Sequence, residues 1–126
     1  MSTSPPDRLR GLRGATTVAR NEAEDIVAAS AELLTDLLER NGLRPADVVS
    51  IVFTATQDLT AAFPASAART VGLDRVPVLS AAELDVPGAV GRCVRVLMHV
   101  YPPRPDQDLH PVYLHGAVRL RTDLGE

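Results

Sequence analysis

The sequence has few aromatic residues and no long apolar run. Among its 126 residues, aromatic side chains account for only 3%, and tryptophan is absent. Hydrophobic residues still make up 45% of the chain, so a core can form, but it must be aliphatic and thin. This length predicts a single domain. Because small domains bury a limited fraction of their surface, such a core also favours further burial by association into an oligomer.

Cysteine occurs once in the sequence, and lysine is absent. The single cysteine, Cys93, excludes an intramolecular disulfide and a cysteine-based metal cluster. The net charge is −3 and the pI about 5.6, which argues against a nucleic-acid or anionic-membrane surface. No apolar run approaches the roughly 18 residues of a membrane span, and the polar N-terminus does not resemble a signal peptide. We therefore expect a soluble cytoplasmic protein that binds neither nucleic acid nor membranes.

The pattern along the chain predicts an α+β domain over residues 9–121. Residues 1–8 are expected to be a flexible lead-in and residues 122–126 a mobile tail. About five mixed strands and two helices are predicted, arranged as one sheet with helices against it. The predicted strands are Leu9–Val18, Val48–Thr56, Val76–Ser80, Arg92–Tyr101 and a last strand or hairpin after His110.

Two helices are predicted between these strands. Asn21 is suited to cap the first helix, with Glu24 as its capping-box partner. Apolar residues then recur at helical spacing until Gly42, which ends the helix. A shorter helix begins near Pro64 and ends at Gly72. The second predicted strand is so apolar that we expect both of its faces to be buried.

Arginines occur where apolar side chains would be expected. In the fourth predicted strand, alternate residues from Val94 to Val100 share an apolar face, and Arg95 lies on the other face. A cation at the centre of such a strand needs an exposed edge, an ion pair or a ligand, because burying it alone is costly. In the first strand, the two-residue period places Arg13 on one face and Arg8 and Arg10 on the other. The latter two are expected to be solvated or to face a partner.

Most catalytic motifs are missing. The three histidines lack the spacing of metal ligands, and no phosphate-binding glycine motif or nucleophile elbow occurs. Cys93 lies in mid-strand without an assignable base, so a buried, inert thiol is expected. Phe63, Arg69 and Glu83 lie on loop or helix-start segments, where functional groups often gather, and Tyr113 adds a phenolic donor. Taken alone, Phe63 and Tyr113 are each more often core residues than functional ones. Such a set suits the binding of carboxylates and hydroxyls and performs little proton transfer of its own.

Four segments, taken in order and spacing, resemble the monofunctional chorismate mutases of the AroH class. They are "RGLRGATTV", "TATQDLTAAFPASAAR", "VPVLSAAELDVPGAVGRCVRVLMHV" and "VYLHGAVRLRTDL", and the resemblance runs from about Leu9 to Leu124. It implies a homotrimer with a pseudo-α/β-barrel core and active sites between adjacent subunits. It also implies the cofactor-free rearrangement of chorismate to prephenate, in phenylalanine and tyrosine biosynthesis.

The resemblance also implies roles for individual residues within one subunit. Arg13 and Tyr113 match residues that hold a substrate carboxylate. Arg95 matches the cation that meets the ether oxygen, and Glu83 matches the carboxylate that accepts from the ring hydroxyl. These four residues are the expected centre of the site.

Other matching residues are expected at the subunit interface or the mouth of the cleft. Phe63 would be an apolar wall contributed across the interface, and Arg69 would act at the entrance. Leu120 and Arg121 match the C-terminal segment that closes over the site.

Three positions depart from the family pattern. Ser80 replaces a common cysteine near the substrate hydroxyl, and serine keeps a donor and an acceptor there. Ser66 replaces a lysine at the cleft entrance, which would weaken anion capture. Gln57 replaces a proline and should loosen the loop before Phe63.

Two other classes of function fit the same composition. One is a non-catalytic trimeric module that binds a small carboxylate. The other is a trimer similar to the enamine or imine deaminases. Consumption of chorismate would distinguish both from a mutase.

Overall fold

In the computed structural model, which describes residues 8–120, the strands form one mixed sheet. The strands are β1 (Arg10–Thr17), β2 (Val48–Ala55), β3 (Val78–Ala82), β4 (Cys93–Val100) and β5 (Val112–Leu114). Their order across the sheet is β3-β2-β4-β1-β5. β4 is antiparallel to both β1 and β2, whereas β3 and β5 run parallel to β2 and β1. The prediction of a single domain with a five-stranded mixed sheet is confirmed.

One long helix covers one face of the sheet. α1 (Ala23–Arg40) has an apolar stripe at helical spacing, and that stripe packs on the sheet as the main core. The second predicted helix is shorter than expected: a 3₁₀ turn at Pro64–Ser66 leads into the single turn α2 (Ala67–Thr70). Within residues 8–120, no helix is long and apolar enough to cross a membrane. The fully buried α1 residues include Ile26, Leu33, Leu34 and Leu37.

The predicted start of α1 was wrong, while its predicted end was correct. Glu22 is the N-cap and makes no side-chain capping bond, so Asn21 and Glu24 form no capping box. The Asn21 side chain instead accepts hydrogen bonds from the backbone N–H groups of Thr60 and Ala61, at 2.9 and 3.0 Å. The Asn21 side chain, which the local sequence pattern predicted to cap the helix, therefore binds a loop that is distant in the sequence.

β2 is not buried on both faces, contrary to the prediction. Ile51 and Phe53 point into the core beneath α1, whereas Val52 and Thr54 on the other face are only partly covered. The reason is that the helices pack on one side of the sheet. We call the other side, with residues such as Val52 and Thr54, the open face.

The third and last strands differ from their predicted bounds. β3 begins two residues later than predicted, after Pro77, whose missing N–H prevents it from donating to a strand ladder. The last strand is only three residues long and ends in a 3₁₀ turn at His115–Ala117. His115 has a φ of 53°, so the chain leaves the sheet there through a left-handed conformation.

Two side chains hold the long loop between β4 and β5. Asn41 is 4% exposed, and its amide donates to the carbonyl of His110 and accepts from the same residue's N–H. Arg10 donates to the carbonyls of Pro105 and Gln107, both at 3.0 Å. Arg10 is therefore a structural clamp rather than a purely solvated cation. This loop leads directly into β5, so both clamps position the strand that carries Tyr113.

Candidate active site

Five residues line up across the open face, one from each strand. The strand registers pair Ala15 with Arg95 and Arg95 with Thr54, and they extend this row to Tyr113 at one end and Ala81 at the other. Residues paired in a sheet point to the same side, so Tyr113, Arg95 and Thr54 share the open face. Strand alternation thus places the Arg95 cation at the middle of this row, between Ala15 and Thr54.

A cavity of about 330 Å³ lies over this row. Its lining includes Arg13, Arg95, Thr54 and Tyr113, and apolar residues such as Leu97 complete the walls. The register pairs Arg13 with Leu97, which makes Arg13 a diagonal neighbour of Arg95 on the next strand. The structure therefore brings together three of the four residues predicted for the centre of the site, in a cavity at the small end of the range for ligand pockets.

The fourth predicted residue, Glu83, forms an ion pair with Arg95. Arg95 Nε lies 2.8 Å from Glu83 Oε1, with side chains that are 39% and 12% exposed. The Nε group makes no hydrogen bond of suitable geometry with any residue in the described range. The contact is thus mainly electrostatic. The ion pair with Glu83 explains how Arg95 can lie in an apolar strand, because the carboxylate offsets the cost of partly burying the cation.

Thr54 was not singled out by the sequence analysis, yet it contacts this ion pair. Its hydroxyl donates a hydrogen bond of 2.7 Å to Glu83 Oε1. A signal was available, because Ser50 and Thr54 are polar residues at the two-residue period of an otherwise apolar strand. The apolar composition of β2 obscured that alternation.

Cys93 lies on the same strand as Arg95 and is fully buried. Burial raises the pKa of the Cys93 thiol to about 11, with the nearby negative charge of Glu83 acting in the same direction. Arg95 opposes the shift without overcoming it. At neutral pH this side chain is a protonated thiol, which agrees with the expected inert cysteine.

Phe63, Arg69 and Ser80 form a separate group away from the cavity of Arg95. All three line a second cavity of about 620 Å³. Ser80 pairs with Phe53 in the sheet and so belongs to the helix side, opposite the open face. Phe63 is 73% exposed, which is unusual for a large aromatic side chain and does not fit the alternative of core packing.

The C-terminal residues of the predicted site are described only in part. Leu120 is 6% exposed and packs in a small cluster with Ala15, Cys93 and Tyr113, next to the row on the open face. Tyr113 is also mostly buried, with only 9% exposed. Arg121 lies outside the described residues.

Metal-ligating side chains do not gather in the described structure. Over residues 8–120, no three His, Cys, Asp or Glu side chains are close enough to hold a metal ion. The chemistry available around the cavity is that of two guanidinium groups, the neighbouring carboxylate of Glu83, a phenol and a hydroxyl. These groups bind anions and hydroxyls and stabilise developing negative charge.

The family model for chorismate mutase type I matches residues 9–124. This chain belongs to that family. The resemblance carried by the four sequence segments is thereby confirmed.

Individual members of the family are similar over most of the chain. A chorismate mutase AroH from Thermus thermophilus is 48% identical over 117 residues, covering 92% of this chain and 96% of the relative. A chorismate mutase AroH from Bacillus subtilis is 44% identical, with 92% of each chain covered. The solved chorismate mutase from Clostridium thermocellum superposes with a TM-score of 0.84 at 46% identity, covering 87% of this chain and 98% of its own.

Proposed function

We propose that this protein is an isomerase that converts chorismate to prephenate, the branch step toward phenylalanine and tyrosine. Membership of the chorismate mutase family supports this proposal. The observation that carries it is the Arg95–Glu83 ion pair, set beside Arg13 and Tyr113 over one small cavity. Its cytoplasmic location stays a prediction.

The reaction suits a site of this composition. Chorismate is a dianion that rearranges within one molecule once its enolpyruvyl arm folds over the ring. The described lining of the cavity contains no cysteine, histidine or serine, and the rearrangement needs no nucleophile or proton shuttle. The protein must hold the folded conformer and stabilise charge as the C–O bond breaks.

Arg13 and Tyr113 would hold the carboxylate of the folded arm. The planar guanidinium of arginine can meet a carboxylate with two hydrogen bonds, and the phenol supplies another donor. Their placement on neighbouring strands, β1 and β5, makes the spacing between them rigid. Restricting the substrate to its reactive conformer lowers the entropic part of the barrier.

Arg95 would stabilise the negative charge that grows on the ether oxygen. That oxygen is nearly neutral in the ground state, so the interaction is stronger in the transition state and accelerates the reaction. Glu83 would accept a hydrogen bond from the ring hydroxyl. In the empty site it also keeps the Arg95 guanidinium neutralised and in place.

The complete site would require a second copy of the chain. Phe63 and Arg69 line a separate cavity beside the edge strand β3, and neither residue lines the cavity of Arg95 within this chain. We infer that an adjacent subunit supplies them, with Phe63 as a wall and Arg69 at the entrance. Exposed apolar residues such as Leu79 and Leu84, at 64% and 86%, support such an interface.

The number of subunits follows from the resemblance, which implies a homotrimer with a pseudo-α/β-barrel core. The uncovered open face is compatible with that arrangement, because a sheet needs a second layer over an apolar face. Leu120 and Arg121 would close the C-terminal side of the cleft.

An ultraviolet assay that follows chorismate loss tests the function. The wild-type protein should consume chorismate and yield prephenate, which acid converts to phenylpyruvate. Arg95→Ala should lower kcat by at least about 10²–10³, the usual cost of removing one preorganised charge-stabilising donor. Its thermal unfolding should remain cooperative.

Arg40→Ala is a matched control for this test. Arg40 lies in the last turn of α1, is 55% exposed and, within residues 8–120, pairs only with Asp36, at 3.5 Å. Its removal should leave turnover unchanged. Near-normal activity of Arg95→Ala would refute the assigned role, and a wild-type protein that binds carboxylates without consuming chorismate would indicate a binding module or a deaminase-like trimer.

A further inference from the structure

Thr54 occupies the position next to Arg95 in the row across the open face. The register of β2 with β4 pairs the two residues, and Thr54 also lines the cavity with Arg13 and Tyr113. It lies between the strand that carries the cation and the segment that carries Glu83.

The contacts to the Glu83 carboxylate are unequal for its two oxygens. The Thr54 hydroxyl donates to Oε1 at 2.7 Å, and Arg95 Nε lies 2.8 Å from the same Oε1. Neither contact involves Oε2. A hydroxyl that donates to an ionised carboxylate makes a charge-assisted bond, which is about twice as strong as a neutral one.

The backbone of Glu83 is fixed at the same place. Its N–H donates to the carbonyl of Ala55, the residue after Thr54, at 3.0 Å. The Glu83 carbonyl accepts from the side-chain amide of Gln57 at 3.2 Å. The end of β2 and the loop after it therefore hold both the main chain and the side chain of Glu83.

We propose that Thr54 is a positioning residue that binds Oε1 of Glu83 and so leaves Oε2 to accept the substrate hydroxyl. A free glutamate side chain rotates about its last torsion, which has broad minima, and its two oxygens exchange. The hydroxyl of Thr54 removes that freedom and keeps Oε1 against Arg95. This inference rests on the proposed role of Glu83, and it adds the residue that determines which carboxylate oxygen the substrate meets.

The rival explanation is that Thr54 serves only as a β-branched strand residue. Two substitutions separate the explanations. Thr54→Val keeps the branched shape and removes the hydroxyl, whereas Thr54→Ser keeps the hydroxyl and removes the branch. A positioning role predicts that serine rescues activity and valine does not; a packing role predicts the reverse.

The expected result is a fall in kcat/KM of roughly 10-fold or more for Thr54→Val, the usual range for losing a hydrogen bond to a charged group. Thr54→Ser should stay within about 3-fold of wild type, by the same scale. Ser50→Ala is the control, because Ser50 is on the same face of β2 and its hydroxyl contacts His99 at 3.1 Å, away from Glu83. That control should leave kcat/KM unchanged.

Thermal unfolding of each variant shows whether a loss of activity is caused only by loss of the folded structure. The inference is overturned if Thr54→Val retains activity, or if Thr54→Ser loses as much activity as Thr54→Val. The wild-type assay distinguishes this from a failure of the proposed function. Without chorismate turnover in the wild type the function itself is wrong, whereas turnover in both wild type and Thr54→Val contradicts only the role of Thr54.

Discussion

At the scale of single residues, the face of a strand determines what each arginine does. Arg10 and Arg13 are three positions apart in β1 and therefore point to opposite sides of the sheet. Arg10 binds loop carbonyls, while Arg13 lines the cavity on the open face. The alternation was predictable from the sequence, but the carbonyls of Pro105 and Gln107 were not, because they lie almost a hundred positions away.

Cys93 leads to a prediction about stability at alkaline pH. Its folded-state pKa of about 11 lies above the value near 9 of an unperturbed thiol. The Cys93 thiol therefore keeps its proton up to a higher pH in the folded state than in the unfolded state. The associated stability is fully present below pH ~8.5 and is lost as the pH rises through the folded-state pKa.

We expect the free energy of unfolding to fall by about 2 kcal/mol more in the wild type than in Cys93→Ala between pH 8 and pH 10.5. Urea unfolding of both proteins at the two pH values measures this. All other ionisable side chains are common to both proteins, so their effect on the pH dependence cancels in the comparison. Equal losses would show that the thiol is not kept protonated by burial.

At the scale of elements, a glycine allows α1 to lie close to β1. A Cβ built on Gly14 would lie 3.0 Å from the Cδ1 atoms of both Leu33 and Leu37, and 3.1 Å from the carbonyl oxygen of Val112. The leucine ends can move a little, but Val112 belongs to β5. A side chain at Gly14 would therefore displace the strand that holds Tyr113.

Gly14→Ala should destabilise the protein by about 1–3 kcal/mol, the usual cost of overpacking a core. The matched control is Gly11→Ala in the same strand. A Cβ on Gly11 would meet only Leu97, at an ordinary 3.6 Å, so its effect on stability should be small or favourable. Denaturant unfolding of the two variants checks the difference. A Gly14→Ala protein as stable as Gly11→Ala would contradict the close packing.

The ends of α1 and the burial of β2 show which features local sequence patterns predict correctly. The end of α1 was correct because Gly42, with a φ of 60°, acts within its own turn. The start was wrong because Asn21 bonds to a loop about 40 positions away. The apolar composition of β2 suggested burial on both faces, yet only one helical layer covers the sheet in this chain.

At the scale of the whole molecule, the two groups of site residues line two separate cavities. Arg95 lines the cavity on the open face, and Phe63 and Arg69 line the cavity beside the edge strand β3. A cyclic trimer, the assembly implied by the family resemblance, would join two different surfaces at each interface and so could bring one group of each kind together. Such a trimer would have a native mass of three times 13.4 kDa.

Co-expression of two inactive variants tests shared active sites. Arg95→Ala and Arg69→Glu should disable different halves of the proposed site, the second by placing an anion where a dianionic substrate would enter. In a randomly mixed trimer, about a quarter of the interfaces should combine two intact halves and recover activity. Sedimentation or light scattering gives the number of subunits independently.

The control for this experiment is co-expression of Arg95→Ala with the double variant Arg95→Ala and Arg69→Glu. That mixture contains no intact Arg95 and should stay inactive. If the first mixture recovers no more activity than its separate components, the two residues do not meet in one site across an interface.

The sequence by itself determined the properties that depend on neighbours along the chain. Alternation identified Arg95 as a cation in an apolar strand, glycine fixed the end of α1, and four segments identified the family. Tertiary structure alone decided which groups meet. Thr54 and Glu83 are 29 positions apart, and their contact with Arg95 depends on the register between β2 and β4 and on the path of the chain after β3. Register arises from packing of the whole sheet, so no local pattern contains it.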